Sequence, residues 1–421
     1  MRTLLAALLA LFPPSIGWAA ERAVEPGGDH LRRAVAAASA GDVLNLADGV
    51  HAGPIEVRVP LTIRGSRKSV VDGGGQGSVI TVSAPDVLIR GIAIRGSGSS
   101  LPEMHSGIFV TQEGDRAVIE DNFFDHTLFG VYLHGPDDAL VRANEITGRT
   151  DLRMSERGNG VNLWNTPGSR VEGNYIHDAR DGIFTNVSRR NVFTGNRIEN
   201  LRYAIHYMYT EDSEVSSNTS TGNDVGWALM FSKRLVVRDN VSEGDRDHGL
   251  MLSTLENSQI SGNVVRRGGE KCVFIFNANK NAVTDNWFEG CPVGIHYTAG
   301  SDRNLISGNA FINNRTQVRY TGTRKMDWGA SGRGNYYSDN PAFDLNGDGI
   351  ADQTYRPNDV MDQLLAAAPL AKVTLNSPAA QLLRWAQATM PGLLPGSIVD
   401  SAPLMAPPRQ IPNGRIAWNR P

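Results

Sequence analysis

An asparagine returns along this chain at a nearly constant interval, and the interval leaves few folds open. Asn122, Asn144, Asn174, Asn196, Asn218, Asn240, Asn263, Asn286 and Asn309 are separated by 22, 30, 22, 22, 22, 23, 23 and 23 residues. Three residues before each stands an apolar column without a gap: Ile119, Val141, Val171, Phe193, Val215, Val237, Ile260, Val283 and Ile306. A second column, most of whose members follow a glycine, runs Ile108, Val131, Val161, Ile183, Ile205, Trp227, Leu250, Val273 and Ile295. Such a period is too short for paired helices, and the i, i+3, i+4 spacing of a helix is absent. Two-residue alternation and β-branched residues are frequent instead. Three short strands and three turns use up the length, so the expected fold is all-β: a right-handed parallel β-helix, a solenoid of 22–23-residue coils. Coils stack at the inter-strand spacing of about 4.8 Å, which makes nine coils and weaker ones upstream a rod on the order of 50 Å. The asparagines are expected at one corner, where this residue tolerates a left-handed backbone and stacked amides bond one another. That column is structural, not catalytic.

The remainder of the chain divides around this repeat. Residues 1–20 read as a secretory signal: Met1-Arg2, an apolar run from Leu4 to Phe12, and small residues ending at Ala19 and Ala20. No twin arginine precedes the apolar run, so export is expected unfolded and the mature protein outside the cytoplasm. The solenoid is expected over 21–340, with early strands at Val43–Leu46, Leu61–Arg64, Val79–Val82 and Val87–Ile94. A helix over Asp29–Ala40, ended by Gly41, is expected as a short N-terminal cap. After Asn309 the period fails, and 341–421 forms a C-terminal region that turns helical over Val360–Ala368 and Pro378–Met390. Ser377 is placed to cap the second of these helices. Leu382, Leu383 and Trp385 give it an apolar surface suited to covering the last coil or to docking on a membrane partner. With 41 Lys and Arg against 44 Asp and Glu, the chain lacks the basic excess of a nucleic-acid binder.

Several groups could carry chemistry. The 30-residue step holds about eight extra residues near Gly148–Gly158, which must loop outwards. Arg153, Met154, Glu156 and Arg157 on this loop are candidate partner contacts. So is a charged stripe aligned two residues before the glycine column: Arg180, Arg202, Asp224, Asp247 and Glu270. Beside it, His248, Lys271 and Asp247 could abstract a proton, as in a carbohydrate-active β-helix enzyme such as a polyuronate epimerase or lyase. A uronate site should concentrate basic groups, whereas this stripe changes sign along its length. A face that meets a protein is the stronger reading, and the chain is not read as an enzyme.

Metals are suggested at two places. Asp344, Asn346, Asp348 and Asp352, with the Ile350 carbonyl and Gly349, follow the spacing of a calcium loop, although Tyr355 stands where the bidentate Glu belongs. Met208 and Met230 share a position on consecutive coils, with Met251 two positions earlier on the next. Thioether and imidazole suit Cu(I), yet stacked Met is commonly core filling, and no CxxC or HxxxH appears. Cys272 and Cys291 lie on adjacent coils, three residues out of column. In an oxidising compartment a coil corner could bring them together as a disulfide.

The runs Asp151-Leu152-Arg153-Met154-Ser155-Glu156-Arg157-Gly158-Asn159-Gly160, Tyr203-Ala204-Ile205-His206-Tyr207-Met208-Tyr209, Gly244-Asp245-Arg246-Asp247-His248-Gly249-Leu250 and Gly269-Glu270-Lys271-Cys272-Val273-Phe274 resemble the NosD family of periplasmic maturation proteins of nitrous oxide reductase. The likeness continues through Asp344–Asp352 and Tyr355–Asp359. The resemblance implies a periplasmic, non-enzymatic assembly role in denitrification. It implies partnership with the membrane permease and cytoplasmic ATPase of an ABC transporter, with nitrous oxide reductase and with a copper chaperone. It also implies a part in building copper–sulfur centres and the binding of copper.

Overall fold

The computed structural model describes residues 19–322, 324–357, 377–389 and 398–409. The expected signal segment, apart from its last two residues, and the helix expected over Val360–Ala368 lie outside these. The chain winds as a parallel β-solenoid whose three faces are sheets of 13, 12 and 13 strands. Strands of one face follow one another coil by coil, in parallel and in register. Ile119 pairs with Val141 and Val141 with Val171 on the first face. Ile183, Ile205, Trp227 and Leu250 align on the broad face, whose strands reach six residues. Both apolar columns are buried inside the coils, where Trp227 and Tyr207 are among the largest enclosed side chains. Each fully buried Val, Leu, Ile or Phe side chain favours the fold by roughly 1.5–3 kcal/mol, so the columns are a principal source of stability.

The asparagine corner works differently from the sequence expectation. The left-handed residue is the one before each Asn: Asp121, Ala143, Gly173, Gly195, Ser217, Asp239, Gly262, Asp285 and Gly308 all have φ between 54° and 69°. The chain turns there, at the least strain where glycine occupies the position, and the following Asn points its amide inwards. Asn218 shows the pattern: its Nδ2 donates to Phe193 O at 2.9 Å and to Asn240 Oδ1 at 3.0 Å. Its own Oδ1 accepts from the backbone N–H and Nδ2 of Asn196 at 2.9 Å each. Asparagine is needed because one side chain must donate twice and accept twice in a dry interior.

The ladder also runs further than the repeat suggested. Asn335, 26 residues after Asn309, takes the next position. Beyond it the carboxylate of Asp400 receives the Asn335 backbone N–H and Nδ2 at 2.8 and 3.0 Å and the Tyr337 hydroxyl at 3.0 Å. Asp400 directly follows a returning strand, Ile398–Val399, which pairs with Met326–Asp327.

Upstream, the run Val87–Ile94 is two strands, Leu88–Arg90 and Ala93–Arg95, because Gly91 at φ 73° turns a corner between them. The N-terminal helix is shorter than expected, His30–Ala36, and buries Leu31 and Val35 against neighbouring strands. The C-terminal helix spans Pro378–Thr389, with Ser377 Oγ accepting the Ala380 N–H at 3.2 Å. Leu382 and Trp385 on it are each 65% exposed. Among the described residues no helix is long and apolar enough to cross a membrane.

Candidate functional site

The outward positions of the broad sheet form a face unlike the other two. Side chains on a strand alternate, so each six-residue strand sends about half of its residues outwards. The middle outward column reads Phe109, Tyr132, Asn162, Phe184, His206, Ala228, Met251, Phe274, His296 and Arg319. The column beside it includes His134, Trp164, Asn186, Met208, Met230, Ser253 and Phe276. Rings touch along these columns: His134 stacks on Trp164 at 4.5 Å, and Phe274 lies 5.5 Å from His248 and 5.2 Å from His296. The result is an apolar, imidazole-bearing track along the rod.

At its centre a buried ion pair orients an imidazole. Asp181, fully enclosed, receives the Arg202 guanidinium through two bonds of 2.8 and 2.7 Å and lies 3.1 Å from His206 Nδ1. Burial alone would raise the Asp181 carboxyl; the bonds from His206 and Arg202 outweigh it and hold it below the usual range. The carboxylate can only accept, so His206 donates from Nδ1, and the neutral ring in that tautomer presents its lone pair at Nε2. That Nε2 is buried and has no hydrogen-bond partner. Phe184 and Tyr203 pack edge-on to the ring, each 4.9 Å away. Counting along the coils does not reveal this triad, because its members belong to two consecutive coils and three different columns.

The charged stripe is brought together, and its charges are largely engaged with neighbours. The Asp247 N–H bonds Asp224 O at 2.8 Å and the Glu270 N–H bonds Asp247 O at 2.9 Å; the Arg202 N–H bonds Arg180 O at 2.9 Å. Asp224 pairs with Arg246 at 2.7 Å, Glu270 with Lys271 at 2.9 Å and Arg202 with Asp181. Desolvation lowers the His248 imidazole and takes that of His296 down to about 4, so both are neutral at pH 7.

The inserted loop lies against the stripe, since the Arg180 N–H bonds Gly158 O at 2.9 Å. Met154–Glu156 is a single 3₁₀ turn. Arg153 and Glu156 are exposed and Met154 half-buried. Arg157 does not project freely: its guanidinium donates to Leu152 O at 3.0 Å and Asp178 O at 2.8 Å. The long side chain folds back because those carbonyls lack strand partners of their own.

Cys272 and Cys291 form a disulfide with Cα atoms 5.7 Å apart. In the loop from Asp344 to Asp352 the carboxylates take up local N–H groups. Asp344 accepts from Gly347 at 2.6 Å and Gly349 at 2.8 Å, and Asp352 accepts from Leu345 at 2.7 Å. Asp348 Oδ1 accepts the Ile350 N–H at 2.8 Å, and Asn346 donates to Asp348 Oδ2 at 3.0 Å. Among the described residues no three His, Cys, Asp or Glu side chains converge to hold a metal ion.

Comparison with known proteins places these features in a context. The model of a family described as periplasmic copper-binding protein (NosD) matches residues 142–342. Two curated relatives, each named "Probable ABC transporter binding protein NosD", are similar over most of their length. The protein of Stutzerimonas stutzeri is 38% identical over 86% of this chain and 86% of its own. That of Pseudomonas aeruginosa is 37% identical over 87% of this chain and 89% of its own. Among solved structures, the A-module of the mannuronan C-5 epimerase AlgE6 from Azotobacter vinelandii superposes with a TM-score of 0.55 at 14% identity, covering 69% of this chain and 90% of that one. A family 28 exopolygalacturonase of Yersinia enterocolitica gives 0.53 at 9% identity, covering 72% and 78%. At such identities the likeness is one of fold alone.

Proposed function

The chain belongs to the NosD family, and from that premise we propose that it is a periplasmic accessory protein without enzymatic activity. In this reading it works with the membrane permease of an ABC transporter and its cytoplasmic ATPase to assemble the copper–sulfur centres of nitrous oxide reductase. The observation that carries it is the likeness, over more than four-fifths of both chains, to relatives named as ABC-transporter-binding proteins. The broad face supports it. A polyuronate site needs cations left over for sugar carboxylates, whereas Arg202, Arg246 and Lys271 each face a carboxylate of this chain.

Copper is cargo here, received from a chaperone and passed towards the reductase. Arg153, Met154 and Glu156 with the stripe Arg180, Arg202, Asp224, Asp247 and Glu270 form the contact with a partner protein. The exposed Leu382 and Trp385 of the C-terminal helix face the permease. The Asp344–Asp352 loop is a structural calcium loop, whose carboxylates would exchange their local bonds for the ion.

The test is recovery of a tagged chain from periplasm and membrane of a denitrifying cell. Permease and reductase are expected with it. A chain that brings down neither, and instead epimerises or cleaves polymannuronate, would replace this reading with the enzymatic one.

A further inference from the structure

All three central methionines point away from the core. Met208, Met230 and Met251 are outward residues of strands whose neighbours Tyr207, Leu229, Leu250 and Leu252 are the buried ones. Core filling therefore does not explain them. The chain has ten methionines, and no other falls in the two outward columns just described, so their gathering on three consecutive coils is local.

Their positions surround one low spot. Met208 and Met230 are register partners, and so are His206 and Ala228, and Ala228 and Met251. Ala228 thus lies between His206 on one coil and Met251 on the next but one, whose Cα atoms are about 10 Å apart at two inter-strand spacings. Between them the sheet carries only a methyl group. Met208 and Met230 flank it from the neighbouring column, two residues further along their strands. The ring nitrogens of an imidazole look in broadly opposite directions. Nδ1 of His206 is turned to Asp181 on the preceding coil, so the unpartnered Nε2 is turned to the following coil, where Ala228 and Met230 sit.

From this we propose that His206 Nε2 and the thioethers of Met208, Met230 and Met251 bind one soft monovalent cation, Cu(I), over Ala228. Thioether sulfur and neutral imidazole are ligands that favour Cu(I) over the hard cations, which prefer oxygen. The Asp181 carboxylate behind Nδ1 is the support that metal-bound histidines commonly have: it fixes the tautomer and raises the basicity of the other nitrogen. It explains a buried nitrogen that otherwise has no partner, a costly arrangement in a low-dielectric interior. With only neutral ligands, the cation keeps its charge and is bound reversibly, which suits a site that passes metal on. The inference rests on the reading of copper as cargo and adds the atoms that hold it.

The experiment uses the full mature chain under anaerobic conditions. Cu(I) is competed against a chromophoric Cu(I) chelator, with Ag(I) as a redox-inert probe followed through the methionine methyl resonances. Met208→Leu, Met230→Leu and Met251→Leu keep side-chain volume, and an unchanged melting curve verifies the fold. One equivalent of Cu(I) is expected in the parent chain, with affinity reduced about tenfold by each Leu and at least a hundredfold by all three together. Ag(I) should shift the methyls of these three methionines and not those of Met104 or Met405. If the folded triple variant holds Cu(I) as tightly as the parent, the site is elsewhere and this assignment is overturned while copper as cargo stands. If the parent chain itself binds no Cu(I), both readings fail.

Discussion

Asp400 closes the ladder that Asn335 extends: one carboxylate oxygen accepts both the backbone N–H and the side-chain amide of that asparagine, at 2.8 and 3.0 Å. Every ladder residue needs an acceptor on the coil ahead, and the last coil has none ahead of it. A carboxylate from a segment 65 residues further along supplies it, and burial raises its pKa. Asp400→Ala should therefore cost on the order of 3 kcal/mol, as three donors, the Asn335 N–H and Nδ2 and the Tyr337 hydroxyl, lose their acceptor. Chemical unfolding of the purified chain measures it; a loss under 1 kcal/mol would show that water replaces the carboxylate.

The interior of the ladder is a harsher position. Asn218→Ala leaves the Asn196 N–H without an acceptor, takes from Asn196 Nδ2 one of its two acceptors and removes the side-chain donor to Phe193 O. Each buried unsatisfied group costs about 1–3 kcal/mol, so the variant should lose several kcal/mol. Substituting the exposed Ser155 by Ala is the control expected to lose under about 0.5 kcal/mol.

The pH dependence of stability carries a signature of one carboxyl. Asp245 is buried beneath the broad sheet and accepts from the hydroxyls of Ser220 and Ser242 at 2.7 and 2.6 Å and from the Asn223 N–H at 2.9 Å. Desolvation raises its pKa to about 6, against those bonds. The native state then keeps a proton that the unfolded state has released between the unfolded value near 4 and about 6. This contribution is full below pH 4 and is lost as pH rises towards 6, by up to about 3 kcal/mol for a shift of two units. His296, held down near 4, acts in the opposite sense over a similar range, so the total curve hides both. The difference in melting temperature between the parent chain and Asp245→Asn should fall between pH 4 and 7. A flat difference would mean that Asp245 titrates normally.

The bond between Cys272 and Cys291 closes a loop of 19 residues. Loops of this length stabilise by about 3 kcal/mol through the unfolded chain. The double variant Cys272→Ala, Cys291→Ala should melt lower by a comparable amount. Mass spectrometry of the unfolded, unreduced parent should find no free thiol.

Calcium and the inserted loop yield a pair of separable outcomes. Addition of Ca²⁺ to chelator-treated protein should raise the melting temperature, and Asp348→Ala should abolish that rise; equal melting throughout would leave the loop a set of turns. Arg153→Glu should weaken partner binding on the order of tenfold, as lost charge contacts do, with melting unchanged. Arg157→Glu should also lower the melting temperature, because it breaks the bonds to the Leu152 and Asp178 carbonyls.

The sequence made the solenoid legible because a stack turns a spatial neighbour into a fixed offset. Ile183, Ile205 and Trp227 could be aligned by counting, and the register agrees residue by residue. Counting failed where contacts cross columns. The Asp181–Arg202–His206 triad joins three columns, and Arg157 bends back on a coil that the offset does not identify. It failed again where the partner is remote, as with Asp400, whose place in the ladder depends on a segment beyond the repeat. Asparagine is itself at home in the left-handed conformation, so the repeat points to the Asn as the corner, whereas the turn is made by the Gly, Asp, Ala or Ser before it.

In-register stacking makes the broad face a graduated scale. Any two outward side chains in one column stand a whole number of coil heights apart, each about 4.8 Å, whatever the sequence between them. A protein that reads this face must match those graduations. Removing or adding one complete coil would preserve the ladder, the columns and the melting cooperativity, while sliding the inserted loop against the methionine cluster by one division. Fit to a partner could thus change in discrete increments, independently of how well the rod itself holds together.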